Sequence, residues 1–560
     1  MPDLRTPALC LFSSFALLTA PLAQDAPAPA GAPPSKAAAP SLLEGRAARR
    51  DACKNPNVLQ AVRAGVGWLS AHQDADGRWD CDKFMKHDPP ADACTGPGAG
   101  QHDVGATALA LLAILAQGDT VLAEAIHKGA YWLAKSIGKD GRVDNASSDF
   151  IYGQAIATLA LTEASVLLND TTYRAAAESA LRYLAQHRHP AHGWRYEAGK
   201  PEADTSVTSW CMAALAEAAY AGFSVPPADS GGALAWLDQV TDPTGSCGYL
   251  NRGEPSSRPV GSWQRFPAAR GEAGTAAGLH ARLISGLVPE SALARAAANT
   301  IVAKLPTWDE GGGDTYYWFH GSMCMAMMAG TAAARKWDAA LQKALLSTQR
   351  KEKSAAGSWD PNDVWGEAGG RVVTTAFAVL ALSSWRLERI DAESLLANTP
   401  GSGPLVESLR ADRLGEAHGL LGRMSEKPLA PDVAAAVARV RWQLDVETAH
   451  AERQLEAIAL VEPDAAGRAE LLEKMQSRFA GTAVGDKAAQ LLKRLRDDPA
   501  TKREAAAAKE LQPLQKAYDA LRAKPNTSRR RDLRDDLTRF IAKHAGTEAA
   551  KKAQALLASL

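Results

Sequence analysis

The stretch Gln73-Asp74-Ala75-Asp76-Gly77-Arg78-Trp79 decides the fold, because similar stretches recur through the first 390 residues. It follows the aromatic-Leu pair Trp68-Leu69 and precedes a small, apolar run from Val104 to Leu115. Further aromatic-Leu pairs begin at Trp132, Tyr183 and Trp236, so that successive pairs lie 64, 51 and 53 residues apart. A period of roughly fifty residues predicts stacked supersecondary units.

Each repeat unit is predicted to contain two helices. One helix carries the aromatic-Leu pair, and the other is built from Ala, Leu, Thr and Gly, as in Val104 to Leu109. Helices that are small and apolar on all sides are buried, so we expect these to form an inner ring. The count continues to about six units, the last joining Gln349, Gly357 and Trp359. We therefore predict an all-α protein with an (α/α)6 toroid over residues 41–392.

The second half of the chain has a different composition. Of the 14 tryptophans, 13 precede residue 390, and a cluster of helix breakers spans Asn398 to Pro404. Beyond it, Gly481-Thr482 and Gly546-Thr547 each precede an Ala- and Leu-rich helix, 65 residues apart. This spacing predicts tetratricopeptide-like helical hairpins over residues 405–560, with a plain helical bundle as the alternative. Either arrangement suggests a surface for a protein partner.

The N-terminus predicts the location of the protein, and the charge balance bears on its partners. Residues 1–23 combine Arg5, an apolar stretch and small residues, which predicts a secretory signal peptide. Residues 24–40 are mostly Ala and Pro and predict a disordered linker. We therefore expect a periplasmic or secreted protein, in which Cys81 and Cys94 are candidates for a disulfide. The 63 basic and 63 acidic residues balance, which argues against nucleic acid as a partner.

The stretch from Gln73 to Trp79 resembles the Gln-Trp repeat of squalene and oxidosqualene cyclases. Gln349 to Trp359 resembles a second, longer copy. The resemblance implies a toroid like that of terpenoid cyclases and protein prenyltransferases. It also implies that Gln73, Gly77, Trp79, Gln349, Gly357 and Trp359 stabilise the repeat. His102 to Gly105, Asp204 to Thr208, Tyr316 to Gly321 and Gly357 to Asp360 further resemble exported bacterial prenyltransferase/squalene oxidase repeat proteins, whose function is unsettled.

Class II terpene cyclases protonate their substrate with an Asp-x-Asp-Asp motif. Here the corresponding stretch is Pro201-Glu202-Ala203-Asp204. Asp204 matches the last Asp of the motif, whereas Pro201 and Ala203 stand where the other two should be. Asp204 could still act as an acid if burial raised its pKa. Alternatively, it caps the helix that begins at Thr205.

This chain lacks the residues that two other groups of toroid proteins use for their chemistry. Protein prenyltransferases bind zinc through an Asp-x-Cys pair and a later His. Only the later His has a counterpart, His320, with Cys324 one turn on. Complement-type thioester domains need Cys-Gly-Glu-Gln, whereas this chain has Cys247-Gly248-Tyr249-Leu250. We therefore predict no metal and no cofactor.

Polar and aromatic residues at the starts of the inner helices are predicted to meet at one mouth of the ring. They are His102, Asp103, Asp149, Tyr152, Asp204, Arg270, Glu272, Tyr317, His320 and Arg371.

The first hypothesis is a cell-envelope binding or scaffold protein that takes an isoprenoid, lipid or polysaccharide ligand. The second is an isoprenoid cyclase with Asp204 as the acid. The third is a polysaccharide lyase or hydrolase using Asp204, His320 and Arg371. A filled centre of the ring would favour a scaffold protein. A sealed cavity lined by aromatic residues would favour an isoprenoid ligand, and an open, charged cavity would favour a polymeric ligand.

Overall fold

The computed structural model describes residues 50–51, 53–118, 120–144, 147–189, 192–200, 202–287, 289, 291–311, 313–384, 396, 399–426, 428–456, 458, 465–524 and 527–560. By its contacts the chain divides into residues 1–40 and residues 41–560, and all that follows concerns the second unit. The predicted signal peptide (1–23) and linker (24–40) lie outside the described residues, as do residues 385–395 between the two halves of the chain.

The described residues contain no β-strand, so the all-α class is confirmed. In the first half of the chain, the described residues form the α-helices α1 Pro56–Ala71, α2 Asp103–Leu115, α3 Ala123–Lys135, α4 Phe150–Leu167, α5 Thr171–His187, α6 Thr205–Tyr220, α7 Pro227–Val240, α8 Ala273–Ile284, α9 Ala292–Val302, α10 Thr315–Met327, α11 Ala332–Thr348 and α12 Gly366–Leu382. They are followed by α13 Gly403–Arg410, α14 Leu414–Met424, α15 Pro431–Glu456, α16 Ala465–Arg478, α17 Ala483–Asp497, α18 Pro499–Ala523, α19 Thr527–Lys543 and α20 Glu548–Ser559.

The even-numbered helices from α2 to α12 form a closed ring. Each packs against the next, and α12 packs back against α2. Their residues are buried on almost every side, as the small, apolar sequences predicted. The inner helix α4 is also long and apolar enough to cross a membrane by length and composition, but 83% of that stretch is buried inside the ring. The odd-numbered helices from α1 to α11 pack outside the ring.

The predicted repeat residues make the same contacts in different units. The Trp79 indole donates to the carbonyl of Leu69 at 2.7 Å, and the Trp359 indole donates to that of Leu345 at 2.9 Å. Trp194 repeats the bond, with Leu184 at 2.8 Å. Each indole therefore joins the end of an outer helix to the loop that follows it.

The Gln and Gly of the repeat join one unit to the next. The Gln73 amide donates to the carbonyl of Gly77 at 2.9 Å and to that of Ala125, in the next outer helix, at 3.0 Å. The Gln349 amide makes the equivalent bond to Ala61 of α1 at 2.8 Å, so the last unit holds the first. Gly357 has a φ of 95°, and a Cβ there would lie 2.3 Å from the carbonyl oxygen of Ala64, so this close approach requires glycine.

The C-terminal helices begin against the ring rather than away from it. The long helix α15 packs along the outer helix α7, where a Cβ on Gly231 would lie 2.6 Å from the backbone of Ala449. Asp238 of α7 accepts hydrogen bonds from His450 at 2.8 Å and from Gln454, both in α15. It also accepts a bond from Arg282 at 2.6 Å. An intramolecular interface thus covers part of the surface that the sequence assigned to a partner.

The helices after α12 build two further apolar clusters. One gathers side chains from Leu396 to Leu492, and the other gathers side chains from Ala507 to Leu560. Neighbouring helices pack in pairs, α16 with α17 and α19 with α20. Thr482 and Thr547, the threonines of the repeated Gly-Thr step, each cap the helix that follows.

Candidate functional site

The starts of the inner helices α4, α6 and α10 meet around one carboxyl group, that of Asp204. Asp204 is completely buried and precedes the first residue of α6. Its Oδ1 accepts a hydrogen bond from the Val207 N–H at 2.8 Å, so it caps the helix as the alternative interpretation expected. Its Oδ2 faces the Tyr249 hydroxyl at 3.3 Å, with the Arg195 guanidinium 3.9 Å away. One oxygen therefore has a structural task, and the other points toward a cluster of side chains.

The protonation of Asp204 is unusual for an aspartate. Burial raises its pKa to about 6, although the Val207 N–H, Arg195 and the Tyr249 hydroxyl oppose the rise. A carboxyl group with that pKa is present in both protonation states near neutral pH. Asp204 can therefore donate or accept a proton under physiological conditions, which an ordinary surface aspartate does not do.

Four tyrosines surround this carboxyl group. The Tyr249 hydroxyl lies 3.4 Å from that of Tyr196, and the Tyr196 ring lies 6.2 Å from the ring of Tyr152. Tyr316, at the start of α10, contributes the fourth phenol. Burial, together with the Asp204 charge, raises the pKa of Tyr249, Tyr152 and Tyr316, so these phenols stay protonated and can donate hydrogen bonds. Tyr152, Tyr196 and Tyr249 are partly exposed, which makes this the accessible side of Asp204.

A stack of aromatic rings fills the centre of the ring behind these tyrosines. Trp210 of α6 stacks on Phe319 of α10, with ring centroids 5.2 Å apart and planes 9° from parallel. It also lies 6.3 Å from Phe377 of α12, a helix on the opposite side of the ring. Side chains from opposite helices meet only where no channel separates them. The centre is therefore packed at this level.

His320 belongs to the aromatic stack and not to the Asp204 site. It is completely buried, and its Nδ1 lies 3.0 Å from the Nδ1 of His280. Its ring packs against Trp210 at 5.1 Å. Burial, followed by the neighbouring His280, lowers the pKa of His320 well below its usual value, so the ring is neutral. The structure does not place His320 in hydrogen-bond contact with Asp204.

Of the residues predicted at the mouth, only Tyr152 lies in the cluster around Asp204. Tyr317 donates its hydroxyl proton to the carbonyls of Ile301 and Lys304, toward the outer helix α9. Arg371 is buried and donates to the Thr95 carbonyl at 2.8 Å. These contacts hold segments of the ring together.

Each of the other predicted mouth residues contacts a group outside the cluster around Asp204. Their partners are Gln101 for His102, the Cys81 N–H for Asp103, Ser147 for Asp149, Asp309 for Arg270, and Thr275 for Glu272.

All six described cysteines are free thiols, so Cys81 and Cys94 do not form the predicted disulfide in this structure.

Sequence reasoning missed Tyr196, Tyr249, Tyr316 and Arg195. A signal was present, because Tyr196 follows Trp194 by two positions and Tyr249 follows Cys247 by two. Trp194 and Cys247 are equivalent, since the backbone N–H of each donates to a threonine hydroxyl of the next inner helix, at 3.0 and 3.1 Å. Aligning the repeats on these positions would have placed the two tyrosines in neighbouring loops.

Comparisons with known proteins add little to this geometry. The sequence matches no protein-family model and no curated protein. Similar solved structures include the type II terpene cyclase MstE from Scytonema, which is 17% identical, covers 59% of this chain and 98% of that chain, and has a TM-score of 0.39. The GH76A alpha-1,6-mannanase from Salegentibacter sp. HEL1_6 is 13% identical, with 58% and 98% coverage and a TM-score of 0.42. A protein from Actinoplanes is 16% identical, with 59% and 100% coverage and a TM-score of 0.37. Likeness at this level says nothing about activity.

Proposed function

We propose that this protein is an exported (α/α)6 toroid that binds a ligand at the Asp204 mouth, as a binding or scaffold protein of the cell envelope. The observation that carries the proposal is the contact between Trp210 and Phe377 across the ring. It fills the space that a cyclase needs for an apolar substrate. A ligand that approaches Asp204 then meets the partly exposed tyrosines and Arg195.

The chemistry of this mouth favours a polymeric ligand rich in hydroxyl groups over an apolar one. Tyr152, Tyr196 and Tyr249 offer aromatic faces together with phenol hydroxyls, and Arg195 adds a cation. A few convergent polar groups beside aromatic surface are typical of ligand sites. A polysaccharide can lie across such a surface, whereas an isoprenoid needs a deep apolar cavity to leave water.

An isoprenoid cyclase with Asp204 as the acid is the second candidate. The raised pKa of Asp204, about 6, favours it, because such an enzyme needs a carboxylic acid that stays protonated. The packed centre is the observation against it. A lyase or hydrolase has less support, since His320 and Arg371 are bound elsewhere.

The experiment that separates these candidates is a ligand search with the full mature chain. Organic extracts are analysed by mass spectrometry, and the protein is then tested on immobilised polysaccharides with Tyr249→Phe and Arg195→Gln as site variants. Arg270→Gln serves as the control, because Arg270 is exposed and pairs with Asp309. Polysaccharide retention that Arg195→Gln weakens and Arg270→Gln does not would support the binding proposal. A stoichiometric isoprenoid in the extract would overturn it in favour of the cyclase.

The remaining parts of the proposal follow from the ends of the chain. A signal peptide at 1–23 predicts that the protein isolated from the periplasm or the medium begins close to residue 24. The tetratricopeptide-like arrangement of 405–560 and a protein partner for it are proposed from the paired helices. N-terminal sequencing of the exported protein tests the first point, and a Met1 terminus would contradict it.

A further inference from the structure

A histidine, a carboxylate and a cysteine meet at the seam where the ring closes. His72 follows the last residue of α1, and Asp88 and Cys94 lie in the loop between α1 and α2. One donor atom from each of the three lies within 4.8 Å of the others. All three side chains are buried or nearly so. None of the three residues was predicted from the sequence to act in catalysis or ligand binding. Cys94 was predicted only as a candidate for a disulfide.

The orientation of His72 is fixed by its neighbours. Its Nδ1 lies 2.7 Å from the Trp68 carbonyl oxygen, and its Nε2 lies 2.9 Å from the Oδ1 of Asp88. The Trp68 ring stacks on the imidazole, with centroids 4.0 Å apart. Because a backbone carbonyl can only accept, Nδ1 of the neutral ring carries the proton and donates to it, and Nε2 keeps its lone pair for a ligand. Metal-binding histidines commonly show this arrangement.

The Asp88 carboxylate is held by its other oxygen, which accepts the Cys94 N–H at 2.8 Å. The same loop is attached to the last unit of the ring. Asp92 accepts the Ser354 N–H at 2.8 Å, and Arg371 donates to the Thr95 carbonyl at 2.8 Å. Because these contacts lie on both sides of Cys94, they fix its position relative to the inner helix α12. The three donors are thus set by the closure of the ring and not by a flexible loop.

Two residues of the cluster, His72 and Asp88, line a cleft of about 970 Å³ between the first and last units. His72, His87 and Asp88 line it on one side, and Arg350 and Lys351 line it on the other. His87 does not belong to the group of three, and its Nε2 lies 2.7 Å from the Oδ1 of Asp74. The cluster therefore offers three protein donors and an opening toward solvent.

We propose that His72, Asp88 and Cys94 bind Zn²⁺ through one nitrogen, one oxygen and one sulfur, with the fourth position facing the cleft. Zinc accepts this mixture of donors, and three protein ligands with an open position are typical of zinc that binds a water or a substrate. A thiolate and a carboxylate would balance the charge of the ion, which a buried dication requires. Binding displaces the proton of the Cys94 thiol to solvent, and the sulfur bonds to the metal.

The other functions of such a group fit the contacts less well. A nucleophilic cysteine needs a base that removes the proton of its thiol, whereas both ring nitrogens of the neighbouring His72 face oxygen atoms, those of the Trp68 carbonyl and of Asp88. A disulfide needs a second sulfur, and Cys81 is a separate free thiol. The cations Arg350 and Lys351 across the cleft suit an anionic or oxygen-rich ligand on the open position of the metal.

The test uses the full mature protein after removal of metals by a chelator. Zn²⁺ is titrated by calorimetry, and Co²⁺ replaces it for absorption spectroscopy. We expect one ion per chain, release of a proton, and a thiolate-to-cobalt charge-transfer band. Cys94→Ser removes that band and weakens zinc binding more than about 100-fold, since even partners outside the metal ligands are worth 10- to 100-fold. Cys53→Ser, at a half-buried cysteine outside the cluster, leaves both unchanged.

Asp88→Asn provides a second variant that does not depend on the thiol. The amide oxygen can keep the bond to the Cys94 N–H, so the loop retains its shape while the negative charge is lost. We expect zinc affinity to fall more than about 10-fold with an unchanged melting temperature in chelator. A wild-type protein that binds no zinc, or a Cys94→Ser variant that binds it equally well, would overturn the proposal and leave the cluster as a structural hydrogen-bonded group.

Discussion

Two aspartates, Asp204 fully buried and Asp238 largely buried, show how differently the protein treats the same side chain. Asp238, where the C-terminal helices meet the ring, contacts Arg282 at 2.6 Å and His450 at 2.8 Å. For Asp204, at the mouth, the one cation recorded among the described residues is Arg195 at 3.9 Å. Despite burial, Arg282 and His450 hold the pKa of Asp238 well below its usual range. Burial raises the pKa of Asp204 to about 6.

The difference separates a structural carboxylate from a candidate functional one. Burying a charge is expensive unless cations and hydrogen bonds replace the water, and the interface supplies both to Asp238. The mouth supplies tyrosines to Asp204 and a more distant cation, Arg195 at 3.9 Å, so the cost of burying the charge remains as a raised pKa. Uncompensated carboxyl groups of this kind concentrate at functional sites. The comparison therefore favours a structural role for Asp238 and leaves Asp204 as the candidate for ligand binding.

Asp238→Asn is expected to have the largest effect. Removing one partner of a buried ion pair leaves Arg282 buried without its counter-charge, which costs about 3 to 5 kcal/mol. We expect the midpoint of denaturant unfolding to fall accordingly, and the contact of α15 with α7 to become susceptible to proteolysis. Asp309→Asn, which breaks an exposed pair with Arg270, should change stability by less than about 1 kcal/mol. Equal effects of the two substitutions would contradict the structural role of Asp238.

This contrast also shows what the sequence could predict and what it could not. The toroid was predictable because Gln73 and Trp79 make contacts that recur in other copies, the Trp contact at Trp194 and Trp359 and the Gln contact at Gln349. A repeated local bond leaves a repeated pattern in the sequence. Asp238 leaves none, since its partners Arg282 and His450 lie 44 and 212 residues away.

The candidate site was predictable only in part, for the same reason. Asp204 precedes a helix and matches one position of a known motif, so its capping role followed from the sequence. The tyrosines around it come from separate loops and helices, and nothing local links Tyr152 to Tyr249. The spacing of His72, Asp88 and Cys94 corresponds to no short metal motif, and ring closure brings them together.

The dependence of stability on pH should differ in sign between the two aspartates. The contribution of Asp204, whose pKa is raised to about 6, is present below about pH 4 and is lost as pH rises through 6. Two pKa units correspond to roughly 3 kcal/mol. The contribution of Asp238, whose pKa is lowered, is present above about pH 4 and is lost below it.

Unfolding free energies measured between pH 3 and 8 for the wild type and each Asn variant check these signs. Asp363 also has a pKa raised to about 6, so the difference between wild type and variant isolates each group. A stability difference between wild type and Asp204→Asn that stays constant from pH 4 to 7 would show that Asp204 does not titrate in this range.

At pH 7 alone, Asp204→Asn should stabilise the protein by about 1 to 2 kcal/mol. The substitution removes a buried charge that has no close cation, and the Asn side chain still accepts the Val207 N–H as a helix cap. Melting temperature and ligand binding are measured together, since a functional carboxyl group should gain stability and lose function when it is replaced. Asp170→Asn, at a half-buried cap of α5, is the control and should change neither. A large fall in melting temperature would identify Asp204 as structural.

Tyr249→Phe should have the smallest effect on stability and the most specific one on chemistry. The hydroxyl lies 3.3 Å from the Oδ2 of Asp204, a long hydrogen bond whose loss costs about 0.5 to 1 kcal/mol. Because that bond favours the carboxylate, its removal should raise the pKa of Asp204 above 6, as followed by carboxyl carbon chemical shifts in an NMR titration. Tyr131→Phe, on the exposed face of α3, should leave the titration unchanged. If Tyr249→Phe also left it unchanged, the tyrosines would not tune Asp204. The distinction between the two aspartates would then rest on the absence of a close cation alone.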